Sequence, residues 1–309
     1  MKVLLTGGTG FVGTALRREL KEQGHDVRLL VRSGSVSKID PREGFEVLVG
    51  DVLDTHACLR AVDHIDAVVH LVGIRREDPH HGMTYEAMHT EATYSIVDAA
   101  RRAKVPRIVY MSALGARAGA PSRYHRTKHE SEEIVKKSGM RWTFFRPSII
   151  FGQGDEFHPL MAELVHRHIV PIIDGGKSQL QPVSLRNVVG PMASSLTMPE
   201  TQGRIFEVGG PDRLKFIEIM QKIARYYGVW PNTFAMSSLL AKPLVKAMQG
   251  LPKFPLTYEE LLLLLEDNTC DPTEFVKAFG VELDTYEDKI PSLLPHKYEL
   301  AETKATGHA

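Results

Sequence analysis

Cysteine is nearly absent from this chain: Cys58 and Cys270 are the only two in 309 residues. So sparse a pair gives no disulfide framework and no metal-ligand spacing, and it fits a reducing compartment. Net charge is lacking as well. The 38 basic and 38 acidic residues cancel, which leaves none of the basic excess that nucleic-acid binding needs. No run of about 18 apolar residues occurs, so no transmembrane segment is expected. Met1 leads straight into a strand-like run, without the basic and apolar regions of an export signal. No internal repeat is visible. These absences point to a cytoplasmic chain with one large core and a smaller lobe, no bound metal and no nucleic-acid partner.

What the first thirteen residues have in plenty is glycine. Lys2 to Leu5 reads as a short buried strand, and Gly7, Gly10 and Gly13 follow at three-residue spacing. Ala15 to Gln23 then reads as a helix, stopped by Gly24 where a left-handed cap is wanted. A strand, a glycine turn and a helix together aim backbone N–H groups and a positive helix end at one spot. That is where a dinucleotide pyrophosphate sits, so Gly7, Thr9, Gly10, Phe11, Val12 and Gly13 are the expected contacts. A side chain at the glycines would block the tight turn or the approach of phosphate.

Five more apolar runs follow: Val27–Val31, Phe45–Val49, Ala67–Val72, Arg107–Met111 and Trp142–Phe145. Helical patterns lie between several of them. Tyr85–Ala103 carries Met88, Ala92, Ile96 and Ala99 on one face, and Tyr124–Lys137 precedes the sixth run. The fold class is therefore α/β, a doubly wound parallel sheet binding its ligand at the carboxyl ends of the strands. After Arg146 the regularity fades into a loop-rich region with one helix near Met161–His168. Phe206–Val208 is placed to rejoin the sheet. Helices are expected at Phe216–Tyr227, Met236–Gln249 and Tyr258–Leu265. The division that follows is a nucleotide-binding domain over 1–147, rejoined by about 183–210. A substrate or partner lobe takes 148–182 and 211–295, and a polar tail over 296–309 is expected to be disordered.

The end of the second strand selects the cofactor. It reads Leu30-Val31-Arg32-Ser33, with no carboxylate before Asp40 to accept from a ribose 2′-hydroxyl. Arg32 can clamp a 2′-phosphate and Ser33 can add a hydroxyl, so NADP(H) is favoured over NAD(H); a merely solvated Arg32 is the plainer alternative. Asp51 and Val52 stand where the adenine edge would lie, although Asp51 equally suits the cap of the next turn. Leu71 and Gly73 close the fourth run, and Gly73 lets the chain pass near the nicotinamide ribose.

Tyr124 and Lys128 lie four apart on one helix and share a face. A phenol ionises near pH 10, and an adjacent ammonium would bring it toward working range. Alone, such a pair is an ordinary helix surface. The joint pattern Thr6-Gly7-x-x-Gly10-x-x-Gly13, Tyr124-x-x-x-Lys128 and Arg146-Pro147 resembles the short-chain dehydrogenase/reductase superfamily in its extended or atypical branches. Arg146 to Asp155, Gln181-Pro182-Val183 and Glu266-Asp267-Asn268 are similar to the dehydrogenase-like accessory subunits of respiratory complex I (alpha subcomplex subunit 9-like) and their bacterial relatives.

The resemblance implies a Rossmann fold holding NAD(P), and a Ser, Tyr and Lys set that moves a hydride to or from a carbonyl or alcohol. Tyr124 and Lys128 match two of the roles. The superfamily's serine is usually the second of a Ser-Ser pair, which falls on Ala113 here; a one-residue slip returns it to Ser112. His89 stands where extended members often carry an asparagine that supports the active-site helix. Pro147, Ile149 and Ile150 would line the nicotinamide. Two functions therefore stay open: an NADP(H)-dependent oxidoreductase on an unidentified carbonyl, alcohol or quinone, and a non-catalytic NADP(H)-binding accessory or assembly subunit. A sugar-nucleotide epimerase or dehydratase is a third. The subunit reading implies a membrane-associated respiratory complex as partner, and a peripheral place at the inner face of a membrane.

Two further features carry alternatives. Arg75, Arg76, His80 and His81 form a basic insertion that could reach an anionic substrate, or could be a solvated loop with no carboxylate partner evident. Phe234–Leu265 is more apolar than a lobe surface needs. Leu239, Leu240, Leu244, Val245 and Met248 there read either as core packing or as a docking surface for a partner or a membrane.

Overall fold

The computed structural model describes residues 1–167, 169–230, 232–251, 254 and 256–294. The expected tail over 296–309 and the expected helix end at His168 lie outside the described residues. Six strands open the chain: β1 (Lys2–Thr6), β2 (Asp26–Val31), β3 (Glu46–Val49), β4 (Ala67–His70), β5 (Arg107–Met111) and β6 (Arg141–Pro147). Between them run α1 (Phe11–Glu22), α2 (Thr55–Ala61), α3 (Ala92–Arg102) and α4 (Arg123–Lys136). Later come β7 (Ile150–Phe151), α5 (Phe157–His166), β8 (Ile169–Ile173), β9 (Gln179–Leu180), β10 (Val183–Ser184) and α6 (Leu185–Ser194). The remainder is β11 (Arg204–Val208), β12 (Leu214–Lys215), α7 (Phe216–Tyr227), β13 (Asn232–Met236), α8 (Ser238–Met248), α9 (Tyr258–Leu265), α10 (Thr273–Phe279) and α11 (Tyr286–Leu293).

Seven strands form one parallel sheet in the order β11-β6-β5-β4-β1-β2-β3. The order reverses at β1, beside β4. In such a sheet the switch point opens a crevice at the carboxyl ends of the strands, and the glycine turn stands there. On one face Leu4, Leu30, Val68, Ile108 and Phe144 pack with Ala57 and Ala61 of α2, Ala92, Ile96 and Ala99 of α3, and Val135 of α4. Met88 is buried as well, which completes the predicted stripe. The helix carrying that stripe is interrupted by a π-turn over Glu86–Glu91, the kind of bulge that re-aims a side chain. Elsewhere α1 packs against α6.

Two compact units divide the chain. The first holds Met1–Pro147, Leu185–Val208 and Cys270–Glu282; the second holds Ser148–Ser184, Gly209–Thr269 and the chain from Leu283. The sequence division assigned 270–282 to the lobe, but α10 belongs with the sheet. Phe275 and Phe279 pack edge-on or tilted against Phe145 of β6 and Phe206 of β11, an aromatic cluster with no signature in a periodicity reading. The second unit has its own core. Met161 and Val165 of α5, Val170 and Ile172 of β8, Ile219 and Ile223 of α7, and Tyr286 and Ile290 of α11 form it.

Candidate functional site

The turn between β1 and α1 is built from contacts that only glycine permits. Gly7 takes φ +76°, and a Cβ there would come within 3.1 Å of the Leu71 and Val72 backbone. A Cβ on Gly13 would fall 2.1 Å from the Gly7 carbonyl oxygen. The Gly10 N–H donates to that same carbonyl at 3.1 Å. Gly10 is also the N-cap of α1 and offers no side chain to it. A helix leaves its first amides without intrahelical acceptors, and here these belong to Phe11, Val12 and Gly13. The helix begins at Phe11 rather than Ala15, so more amides gather at the turn than the sequence reading gave. This cradle fits a pyrophosphate.

A buried arginine that sequence reasoning missed braces the turn. Arg17, 2 % exposed, donates to the Gly8 carbonyl at 3.2 Å, to the Lys38 carbonyl at 3.3 Å and to Glu43 Oε2 at 2.8 Å. One guanidinium thus ties the glycine turn to the segment that follows β2. On that segment Arg32 is exposed, with a 3.8 Å contact from Nη1 to Met83 Sδ. Ser33 is exposed beside it at the start of a short 3₁₀ turn. Asp51 serves its own turn, since Oδ1 accepts the Leu53 N–H at 2.9 Å. Val52 is buried.

The fourth strand stops at His70, two residues earlier than expected, although the Leu71 N–H still bonds the Thr6 carbonyl. His70 is fully buried, and its ring nitrogens bond Thr6 Oγ1 at 2.6 Å and Thr93 Oγ1 at 3.1 Å. Burial, with Lys128 adding to it, pushes this imidazole down to about 3. The sign follows: below the ordinary value of about 6.5 the unfolded chain takes up a proton that the folded one refuses until about 3. Stability contributed by neutral His70 is therefore lost as pH falls between those values, by up to about 5 kcal/mol. His70→Asn is expected to flatten the fall of melting temperature across that window; an unchanged acid slope would place the lability elsewhere.

Beyond the fourth strand, Lys128, His89 and Gly73 converge. Lys128 Nζ donates to the Met111 carbonyl at 3.1 Å and lies 5.3 Å from the centre of the Tyr110 ring. A Cβ on Gly73 would sit 2.8 Å from that Nζ and 3.3 Å from the His89 ring. His89 bonds Thr127 Oγ1 at 2.8 Å through Nδ1 and the Ile74 backbone at 3.1 Å through Nε2. It therefore fastens α4 to the loop after β4, the supporting part expected of that position. Burial holds His89 well below the ordinary imidazole range. Desolvation pulls Lys128 down to about 8, partly opposed by Glu132 one turn further along α4. Glu132 is itself wholly buried and gripped by Arg146 of β6 through two bonds of 2.8 and 2.7 Å. The Arg146-Pro147 motif thus does local electrostatic duty.

Tyr124 is half-buried among the rings of Tyr85, His89 and His125, at 5.8, 5.3 and 5.5 Å between centroids. Here the sequence expectation is corrected. The phenol is pushed up to about 12, because desolvation dominates and the opposing charge is that of Arg75 rather than Lys128. Tyr124 is a protonated acid at neutral pH. Ser112 follows β5 directly, is buried, and its Oγ has no hydrogen-bond partner among the described residues; Ala113 beside it is buried too. A buried hydroxyl without a partner is uncommon and suits a ligand oxygen.

Pro147 ends β6 within the first unit, its carbonyl accepting the Leu114 N–H at 3.0 Å. Ile149 and Ile150 lie in the second unit, where Ile149 packs into the core and Ile150 pairs with Val183. Arg75, Arg76, His80 and His81 are exposed. His81 does have a carboxylate partner, Asp78, at 2.6 Å. No metal-binding group of three or more side chains occurs among the described residues, and none of their helices is long and apolar enough to cross a membrane.

Residues 7–157 match the family model described as NAD(P)H-binding. That stretch, just under half of the chain, is similar to NAD(P)H-binding domains, and its sheet has the doubly wound Rossmann order. It is 25 % identical over 308 residues to the Arabidopsis thaliana mitochondrial NADH dehydrogenase [ubiquinone] 1 alpha subcomplex subunit 9, covering 94 % of this chain and 73 % of that one. It is 27 % identical over 264 residues to a Mycobacterium tuberculosis 3 beta-hydroxysteroid dehydrogenase/Delta 5-->4-isomerase, covering 75 % of this chain and 71 % of that one. Among solved structures it superposes on the Escherichia coli NADPH-dependent quinone oxidoreductase QOR2, complexed with NADPH. That match has a TM-score of 0.77 and 16 % identity, over 94 % of this chain and 99 % of the other.

Proposed function

We propose that this protein is an NADP(H)-dependent oxidoreductase that transfers a hydride to the oxygen-bearing carbon or ring of a carbonyl or quinone substrate. The observation that carries the reading is the convergence in one unit of the glycine cradle, Lys128 beside Gly73, a protonated Tyr124 and the unpaired Ser112 hydroxyl. The nicotinamide, when bound, supplies or accepts the hydride. Lys128 holds the ribose hydroxyls from beside Gly73, where no side chain stands between. Ser112 donates a hydrogen bond to the substrate oxygen. Tyr124 delivers the proton to that oxygen, and at neutral pH it is in the protonated form that this step requires.

Arg32 carries the preference for the 2′-phosphate. It is exposed at the end of β2, and no carboxylate takes its place on that strand end. A second reading, a nucleotide-binding accessory subunit of a membrane-associated respiratory assembly, draws support from the complex I relative that aligns over 94 % of this chain and from Ala113 at the usual serine position. In that role the nucleotide would stiffen the fold by linkage alone.

Release kinetics separate the two. An oxidoreductase must exchange its cofactor at each turnover, typically about 10 times per second. Stopped-flow displacement of NADPH from the purified chain is expected to finish within about a second on that scale. Arg32→Asp is expected to weaken NADPH at least about tenfold, to leave NADH unchanged or tighter, and so to reverse the preference. Release over many minutes would remove the redox reading; an unchanged preference in Arg32→Asp would remove the phosphate assignment alone.

A further inference from the structure

Helix α8 in the second unit is apolar on two sides. Its inner stripe is conventional: Ala241 and Val245 are buried against Leu261 of α9. At about 100° per residue, Leu239, Pro243, Ala247, Leu240 and Leu244 fall on a separate arc of roughly 140°. All five are exposed, Leu239 at 83 % and Leu240 at 68 %. Lys242 and Lys246 border this arc along one edge. Trp230, 88 % exposed, and Phe234 precede the helix, and exposed Leu251 follows it. The core-packing expectation for this stretch thus holds for Val245 and Leu261 and fails for Leu239, Leu240 and Leu244.

Exposed leucines on this scale are costly in water, and a helix apolar nearly all round is ordinarily covered. Charge says by what. From Gly228 to Tyr258 the sequence has three lysines, Lys242, Lys246 and Lys253, and no aspartate or glutamate. Outside that stretch, Asp174 Oδ1 accepts the Ser238 N–H of α8 at 2.8 Å, and Glu259 and Glu260 open α9, which packs against α8. Lys177 and Lys242 both act on the Asp174 carboxylate. The exposed arc itself has no hydrogen-bonding side chain, whereas a protein interface of ordinary kind carries about one hydrogen bond per 100–200 Å². Leucines without polar partners, lysines along one border and a tryptophan near the helix start are the ingredients of a helix lying in a lipid interface.

We propose that the exposed face of α8, with Trp230 and Phe234, seats this protein on the surface of a membrane rich in anionic phospholipid. The leucines enter the boundary between headgroups and acyl chains, while Lys242 and Lys246 meet lipid phosphates. None of the described helices is long and apolar enough to cross the bilayer. No residue of this surface belongs to the nucleotide-binding unit.

Vesicle co-sedimentation of the full chain tests this. Vesicles of phosphatidylglycerol in phosphatidylcholine should pull the protein down, and vesicles of phosphatidylcholine alone should bind it at least tenfold less, about the difference expected for two charge contacts. Binding should weaken as added salt shortens the screening length. Leu239→Ser with Leu244→Ser is expected to lower partitioning by a further order of magnitude or more. Because both side chains already face water, thermal melts and NADPH affinity should not change. Lys242→Glu with Lys246→Glu is expected to remove the preference for the anionic lipid. The proposal is overturned if wild type ignores both vesicle types or if the leucine variants sediment as wild type does. It is equally overturned if those variants instead abolish a concentration-dependent self-association seen by equilibrium sedimentation without lipid, which would make the face an interface between copies. Loss of the folded state in both variant pairs would also overturn it, by placing these residues in the core.

Discussion

Gly13→Ala should weaken NADPH binding by at least about a hundredfold, roughly 2.7 kcal/mol, while the chain stays folded. The argument is steric. A methyl at this position would stand 2.1 Å from the Gly7 oxygen and 2.7 Å from the Gly8 α-carbon. Backbone cannot rotate away as a side-chain end does, so the turn must open. Opening it moves the Phe11 and Val12 amides and the helix end relative to Gly7, and a phosphate site depends on their convergence. The strain also costs stability, about 1–3 kcal/mol as for overpacking elsewhere, so affinity must be read well below the melting temperature. Gly24→Ala provides the contrast. Gly24 takes φ +79° with nothing within 4 Å of the added methyl, so it should lose about 1 kcal/mol of stability and no affinity. Fluorescence titration and a thermal melt of both variants give the comparison. Wild-type affinity in Gly13→Ala would mean that the nucleotide does not sit on this turn.

How far the chain could be read without coordinates depended on whether a residue's partner was local. The glycine turn, the individual strands and the helix from Phe216 to Tyr227 are set by neighbours a few residues away, and spacing alone exposed them. Tyr124 and Lys128 were found because four residues make one helical turn. What stayed hidden was held by distant partners. Arg17 looks like one more charged residue on a surface helix until Glu43 closes on it from 26 positions away. Glu132 gives no sign that Arg146 neutralises it inside the protein. The state of Tyr124 was misjudged for a related reason. Proximity to Lys128 in sequence suggested a lowered pKa, but that ammonium is engaged by the Met111 carbonyl, and the surrounding rings strip water from the phenol. Burial outweighed the neighbour. In α8, periodicity marked the apolar positions and could not tell an inward stripe from an outward one.

Tyr124→Phe is the variant with the largest expected effect on chemistry. Removing the hydroxyl deletes the proposed proton donor and leaves the ring packing against Tyr85, His89 and His125 in place. With NADPH and a water-soluble quinone or carbonyl acceptor, turnover should fall by about 10²–10⁴, the usual contribution of a positioned acid. NADPH affinity should change by less than about threefold, since Lys128 and the glycine turn remain. Equal losses in both would make Tyr124 a ribose anchor and favour the accessory-subunit reading. The pH profile adds a check that a structural role would not move. With Tyr124 near 12, the acid is protonated throughout the neutral range, so its own titration gives no limb there. Lys128 near 8 is charged below that value and neutral above it. Cofactor affinity in wild type should therefore decline as pH rises through about 8, and phosphates bound nearby would move that decline upward. Lys128→Met should lack the decline because it has no charge to lose, while Tyr124→Phe should retain it. Those outcomes would separate the two proposed roles: Lys128 setting how tightly the nucleotide is held at alkaline pH, and Tyr124 setting whether a held nucleotide can react.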